Sequence, residues 1–185
     1  MNEAIALAQT QDTLRQECEQ TLAERARRYL QAKPHGVIPL THFAPVSAEA
    51  TLLFRDGHFY ACIALAQAVA EALVRFLCEK NSFSPRKDFD KNVEKLTTRG
   101  FITEEIKGKL LQIWDARHDY HHLNADIETD KERLQEMAIE KLNLLTDVEK
   151  EIFAFTIVEG KLVPTNRKYW DIDGEFAKVY IRLSP

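Results

Sequence analysis

The sequence predicts a mainly α fold: an antiparallel up-down bundle of four to five helices carrying a small C-terminal β appendage. Three observations predict it. Apolar residues recur at three- and four-residue steps in several long stretches, the period of a helix with one buried face. Gly, Pro and Ser/Thr/Asp residues punctuate those stretches where caps and turns belong. Only beyond Ile152 does the pattern change to strand-like alternation. A chain of 185 residues, 45% hydrophobic and 29% charged, is long enough to bury one sizeable core and is composed as a packed globular protein rather than a disordered one.

From Glu3 to about Lys33, the residues Leu7, Leu14, Cys18, Leu22, Ala26 and Tyr29 draw one stripe along a helix, which Pro34, Gly36 and Pro39 stop. A Pro-rich connector follows to about Val46, and Ser47 is placed to cap the next helix, which Asp56-Gly57 ends. The helix from His58 to about Lys80 is the most strongly patterned: Phe59, Ile63, Ala66, Ala70, Leu73, Val74 and Leu77 form a wide apolar face, and Ala61, Ala64 and Ala68 leave room for close helix approach. "FDKNVEKLTTRG" reads as a short helix ending at Gly100. Thr103 is the expected cap of a helix running unbroken through "EEIKGKLLQIWDARHDYHH", with Ile106, Leu110, Ile113 and Trp114 inward. Thr129 is expected to begin the last helix, whose stripe includes Leu134, Met137, Ile139, Leu142, Leu145, Val148 and Ile152. "FTIVEGKLVPT" reads as a hairpin turning at Glu159-Gly160, and in "FAKVYIRL" the residues Ala177, Val179, Ile181 and Leu183 alternate with Phe176, Lys178, Tyr180 and Arg182. These elements divide the chain into an N-terminal helix and connector (1–46), a helical bundle (47–155) and a β extension (156–185).

The formal net charge is −4, so the molecule as a whole does not attract phosphate backbones and any nucleic-acid contact must come from local cations. One local excess exists. Between Lys80 and Lys109 the basic residues Lys80, Arg86, Lys87, Lys91, Lys95, Arg99, Lys107 and Lys109 outnumber Asp88, Asp90, Glu94, Glu104 and Glu105 by three, a pattern that fits a solvated helix face as well as an RNA track. Cys18, Cys62 and Cys78 form no CxxC pair, as expected of a protein in the reducing cytoplasm. The start lacks the basic region and continuous apolar run of a secretory signal, and the apolar run "FYACIALAQAVAEALVRFLC" carries Gln67, Glu71 and Arg75, which makes it a buried helix rather than a membrane span.

The residues that carry chemistry cluster in "RHDYHH": Arg117, His118, Asp119, Tyr120, His121 and His122. On a helix, Arg117 shares a face with His121, and His118 with His122, while Arg117 and His122 flank one broad groove that a partner molecule would close. Metal-free RNA cleavage needs help for the attacking 2′-hydroxyl, a proton for the leaving 5′-oxygen, and positive charge for the developing phosphorane. Histidine titrates near neutrality and arginine presents a fixed fork of donors, so the pair suits that chemistry.

"RHDYHH" resembles the motif of the HEPN superfamily, an arginine followed by a polar residue and then by a histidine after four to six intervening positions; Arg117, His118 and His122 match those roles. "FRDGHFYACIALAQAVAEALVRFLCEK" is similar to the helix-turn-helix of HEPN domains, in which a glycine-aromatic break precedes an alanine-rich helix ending in Glu and basic residues. The resemblance covers about Ser47 to Phe155. It implies a four-helix up-down bundle that forms a homodimer, with two copies of the arginine-histidine helix facing each other across a cleft. It also implies a metal-independent endoribonuclease, without cofactor, often a toxin, antiviral effector or RNA-processing factor, that leaves a 2′,3′-cyclic phosphate and a 5′-hydroxyl. Arg117 and His122 would then be catalytic, the first holding the scissile phosphate and the second orienting or deprotonating the 2′-hydroxyl or protonating the leaving group. His118 would shape the cleft; Asp119 and His121 match no fixed role of the family and, with Tyr120, are assigned supporting ones only. The expected partners are an RNA substrate, a second copy and a separate antitoxin or regulatory protein, with no membrane.

Other readings stand beside this one. A non-catalytic HEPN module would use the same dimer to bind RNA or a protein. A metal site would use His118 and His122 with Asp119 or Asp126, although the pattern has neither the glutamate of HExxH nor a cysteine. Arg117 alone would make a surface ion pair with Asp115, Asp119 or Glu128, and Glu71 would be exposed or structurally paired, or stand behind Arg117. Trp114 follows the buried stripe, whereas Tyr120 is open to stacking on a base.

Overall fold

A computed structural model of the chain describes residues 3–122, 124–125, 127–174 and 176–182. It is mainly helical and bundle-like, with small hairpins at its C-terminal end. The helices are α1 (Glu3–Gln31), α2 (Ala44–Asp56), α3 (Phe59–Lys80), α4 (Phe89–Thr98), α5 (Glu104–Trp114), α6 (Arg117–His122) and α7 (Lys131–Ile152). The strands are β1 (Val37–Pro39), β2 (Phe155–Val158), β3 (Lys161–Pro164), β4 (Ile172–Asp173), β5 (Phe176–Ala177) and β6 (Val179–Ile181), with a 3-10 turn at Arg167–Tyr169.

α3 is the central element and packs against α2, α4, α5, α6 and α7, while α5 and α2 also lie on α7. By length and composition α3 is apolar enough to cross a membrane, but its apolar face is occupied within the bundle: Ile63, Ala66, Leu73, Val74 and Leu77 are fully buried. Burial of each of the larger aliphatic side chains contributes roughly 1.5–3 kcal/mol. Gly57 makes the α2–α3 turn at φ +87°, a left-handed conformation in which its N–H closes onto the last turn of α2. Thr103 caps α5 as expected, its Oγ1 accepting from the Ile106 N–H at 3.1 Å. The β2–β3 hairpin turns through Glu159 and Gly160, both at positive φ, the geometry that matches the twist of the strands.

Several expectations need correction. α2 begins at Ala44, with Pro45 in its first turn, and Ser47 does not cap it. Ser47 is buried and donates to Glu149 Oε1 at 2.9 Å. α7 starts after Asp130 rather than at Thr129, because the Asp130 carboxylate accepts from the Arg133 N–H. The stripe of α1 is mostly uncovered. Leu7, Leu14 and Leu22 are all more than half exposed, and Arg28 is the residue of this helix that the fold buries. Periodicity shows which face of a helix is apolar, not whether another element lies opposite.

The Pro-rich connector contains β1, which pairs antiparallel with β6 so that Val37 faces Ile181. The strand expected over Phe176–Leu183 divides at Lys178: β5 pairs with β4, and β6 with β1. Its inward position goes to Arg182 instead of Ile181, which is exposed. The reason is a buried carboxylate. Arg182 grips Glu149 of α7 with two hydrogen bonds of 2.6 and 2.8 Å and also donates to the His35 carbonyl at 3.2 Å. Leu183 lies outside the described residues.

Candidate functional site

The expected single helix from Thr103 to His122 is two helices. α5 ends at Trp114, Asp115 adopts an extended ψ of 142°, and Ala116 sits at φ +55°, a left-handed conformation that costs a residue with a Cβ about 1–2 kcal/mol. Breaking a helix leaves its last carbonyls without partners, and here two buried side chains supply them. Lys141 Nζ donates to the carbonyls of Gln112, Ile113 and Asp115 at 3.1, 2.9 and 3.0 Å. Gln67 Nε2, from the centre of α3, donates to Ile113 and Asp115 at 3.1 and 3.0 Å. All three ammonium donors of Lys141 are thus used on backbone oxygens, and burial lowers its pKa.

Neither residue is among those expected from the motif, yet both leave a trace in the sequence. Gln67 interrupts the apolar face of α3 beside Ile63, Ala66 and Ala70, and Lys141 occupies a place in the α7 stripe between Ala138 and Leu145. A polar residue at an inward position requires a buried partner. Here the partner is the broken end of α5.

The break turns the motif onto a six-residue helix. Tyr120 is its anchor rather than a base-stacking platform: the ring is buried near Tyr60, with centroids 6.2 Å apart, and the hydroxyl meets Met137 Sδ at 3.4 Å. Burial pushes the phenol pKa up. Asp119 accepts from Asn124 Nδ2 at 2.8 Å and closes the turn after the helix. Tyr60 adds a second clamp by donating to the Glu128 carbonyl at 2.6 Å.

Arg117 is about one-third exposed and lies 4.7 Å over the Trp114 ring, whose partner in stacking is Phe89 at 4.1 Å. Trp114 is therefore half-buried between a core aromatic and a guanidinium. Glu71 Oε2 stands 4.0 Å from the Arg117 guanidinium while Glu71 Oε1 accepts from Arg75 at 2.6 Å. The carboxylate that holds Arg117 is accordingly Glu71, and not Asp115, Asp119 or Glu128. Arg117 Nε is buried without an acceptor among the described residues.

The three histidines of α6 are all largely exposed, and His121 also feels the charge of His122. His121 is beside Arg117 and Glu71; burial lowers its pKa, with the Arg117 charge adding to the effect and Glu71 opposing it. His118 and His122 are exposed and lie in ring contact, centroids 4.5 Å apart.

No family model, no curated protein and no solved structure matches this chain.

Among the described residues, no three His, Cys, Asp or Glu side chains converge as a metal would require. Asp126, weighed above as an oxygen ligand, lies outside them. What the arrangement offers chemically is a guanidinium held by Glu71 and Trp114 beside a histidine of lowered pKa, and next to these two exposed imidazoles in ring contact.

Proposed function

We propose that the protein is a metal-independent endoribonuclease of HEPN type, an antiparallel up-down bundle acting as a dimer. The observation that carries this reading is the helix break at Asp115–Ala116, which sets Arg117 and the histidines on a short outward helix held from beneath by Gln67 and Lys141. A fixed guanidinium is what a scissile phosphate needs, since positioned charge stabilises the transition state more than mobile charge does. In the proposed reaction the ribose 2′-oxygen attacks phosphorus, the 5′-oxygen leaves, and the products are a 2′,3′-cyclic phosphate and a 5′-hydroxyl. His122 takes the 2′-proton or supplies the proton to the leaving oxygen. Arg117 binds the non-bridging oxygens, His118 shapes the cleft beside His122, and His121 and Asp119 support Arg117 and the α6 turn. As a toxin or defence effector such an enzyme would be kept in check by a separate antitoxin or regulatory protein.

A second reading, a non-catalytic HEPN module that binds RNA or a protein, is favoured by one specific feature. Within one chain Arg117 neighbours His121, whereas His122 neighbours His118, and no hydrogen bond, ion pair or ring contact joins Arg117 to His122 among the described residues.

Incubation with a structured RNA in excess EDTA separates the two. Cleavage to cyclic phosphate ends by the wild type, lost in Arg117→Ala and His122→Ala while both variants fold, supports the nuclease. Cleavage that persists in both variants refutes the assigned residues, and a folded wild-type dimer that binds RNA without cutting it supports the binding module.

A further inference from the structure

The basic excess between Lys80 and Lys109 is not evenly solvated. Six of its eight members sort into two sets. Lys107 is occupied by Glu94 at 2.6 Å, Lys109 by Glu105 at 2.7 Å, and Lys91 by Asp88 at 3.1 Å. Arg86, Lys95 and Arg99 make no ion pair among the described residues. These three line one shallow cleft of about 470 Å³ together with Lys91, Glu94 and Thr98.

The cleft is built rather than incidental. Asn92, itself buried, clamps Arg86 through its backbone in both directions: Nδ2 donates to the Arg86 carbonyl at 2.8 Å and Oδ1 accepts from the Arg86 N–H at 2.7 Å. Phe83 forms an aromatic flank, with Lys95 Nζ at 4.2 Å and the Arg99 guanidinium at 5.5 Å from its ring centre. The one acidic residue of the lining, Glu94, is neutralised by Lys107. Lys91, Lys95, Thr98 and Arg99 follow the three- and four-residue spacing of one helix face, so the cations form a row along α4.

The opposite, buried face of α4 borders the candidate site. Phe89, the first residue of α4, stacks on Trp114, and Arg117 covers that same indole. α4 has ten residues and spans about 15 Å, a length over which its cations can follow a phosphate backbone. We infer that the α4 cleft binds the phosphodiester backbone of a single-stranded RNA segment. The identity of the ligand rests on the nuclease reading; the cleft itself rests on the unpaired cations and the Asn92 clamp.

The test is fluorescence anisotropy with a labelled, 2′-O-methylated single-stranded RNA that cannot be cleaved through its 2′-oxygen. The variants are Arg86→Glu/Lys95→Glu/Arg99→Glu and its neutral counterpart Arg86→Gln/Lys95→Gln/Arg99→Gln, both checked for helical content. The charge reversal is expected to weaken binding at least tenfold, with the neutral set between it and wild type. The slope of log affinity against log salt is expected to flatten by about 2, from three phosphate contacts worth roughly 0.7 each on a single strand. Unchanged affinity and slope in folded variants would overturn the cleft, as would a poly-glutamate peptide that binds the row as tightly as RNA does. Unmethylated RNA keeps the two proposals apart. Binding that depends on the α4 row without any fragment formation leaves the cleft and removes the nuclease. Fragments formed by the wild type, with RNA affinity unchanged when the row is reversed, leave the nuclease and remove the cleft.

Discussion

Replacing Lys141 by Met retains most of the side-chain volume and removes the group that holds the α5–α6 break. Three hydrogen bonds from a charged donor disappear. The Ile113 and Asp115 carbonyls keep Gln67 Nε2, whereas the Gln112 carbonyl loses the side-chain donor that Lys141 supplies. Leaving the part-buried Gln112 carbonyl without this donor costs at most the roughly 1–3 kcal/mol of a buried orphan, and weakening two others adds to this. Removing the desolvated ammonium returns part of the loss, so a net destabilisation of about 2–3 kcal/mol is expected, measured by urea unfolding at neutral pH. The pH dependence gives an independent signature. Burial lowers the folded-state pKa of Lys141 from the ordinary lysine value of 10.5, so between those two pH values the unfolded chain binds more protons than the folded one. Stability therefore rises with pH through that window, and the penalty for burying the charge disappears above it. Subtracting the Lys141→Met curve from the wild-type curve isolates this rise. A variant as stable as wild type, with no alkaline difference between the two, would refute the claim that the lysine supports the break.

Two further outcomes follow from the same contacts. Glu149→Gln leaves the buried Arg182 guanidinium without its counter-charge, and a loss of about 3–5 kcal/mol is expected in thermal or urea unfolding; Glu149→Leu/Arg182→Met is expected to recover most of it, and equal instability of the single and double variants would argue against the ion pair. For His121, burial chiefly and Arg117 secondly lower the folded-state pKa from 6.5, so Arg117→Ala is expected to raise it in an NMR titration of the imidazole. Because the unfolded chain takes up this proton first as pH falls through 6.5, stability declines there, and His121→Gln should flatten the decline.

The parts of this molecule legible in the sequence are those whose causes are local. The apolar face of α3, the Thr103 cap, the break at Gly57 and the hairpin turn at Glu159-Gly160 each depend on residues within a few positions of one another. "RHDYHH" was visible for the same reason, as titratable side chains crowded into one short segment. Its setting was not visible. A helix running straight through Asp115 and Ala116 satisfies every local rule, since neither residue is a strong helix breaker.

Composition, periodicity and capping by themselves determined a helical, packed chain with a β tail and an arginine-histidine cluster late in its bundle. Tertiary structure alone decided that α5 would stop at Trp114, that Arg117 would rest on an indole and near Glu71, that Arg182 rather than Ile181 would point inward, and that most of the α1 stripe would stay exposed. The physical reason is common to the first three. A broken helix end or a buried charge is stable only when its hydrogen-bonding partner is supplied by a distant part of the chain, as Gln67 and Lys141 supply α5, and Glu149 supplies Arg182. The exposure of α1 has the complementary cause, that an apolar face stays open where the fold brings nothing against it.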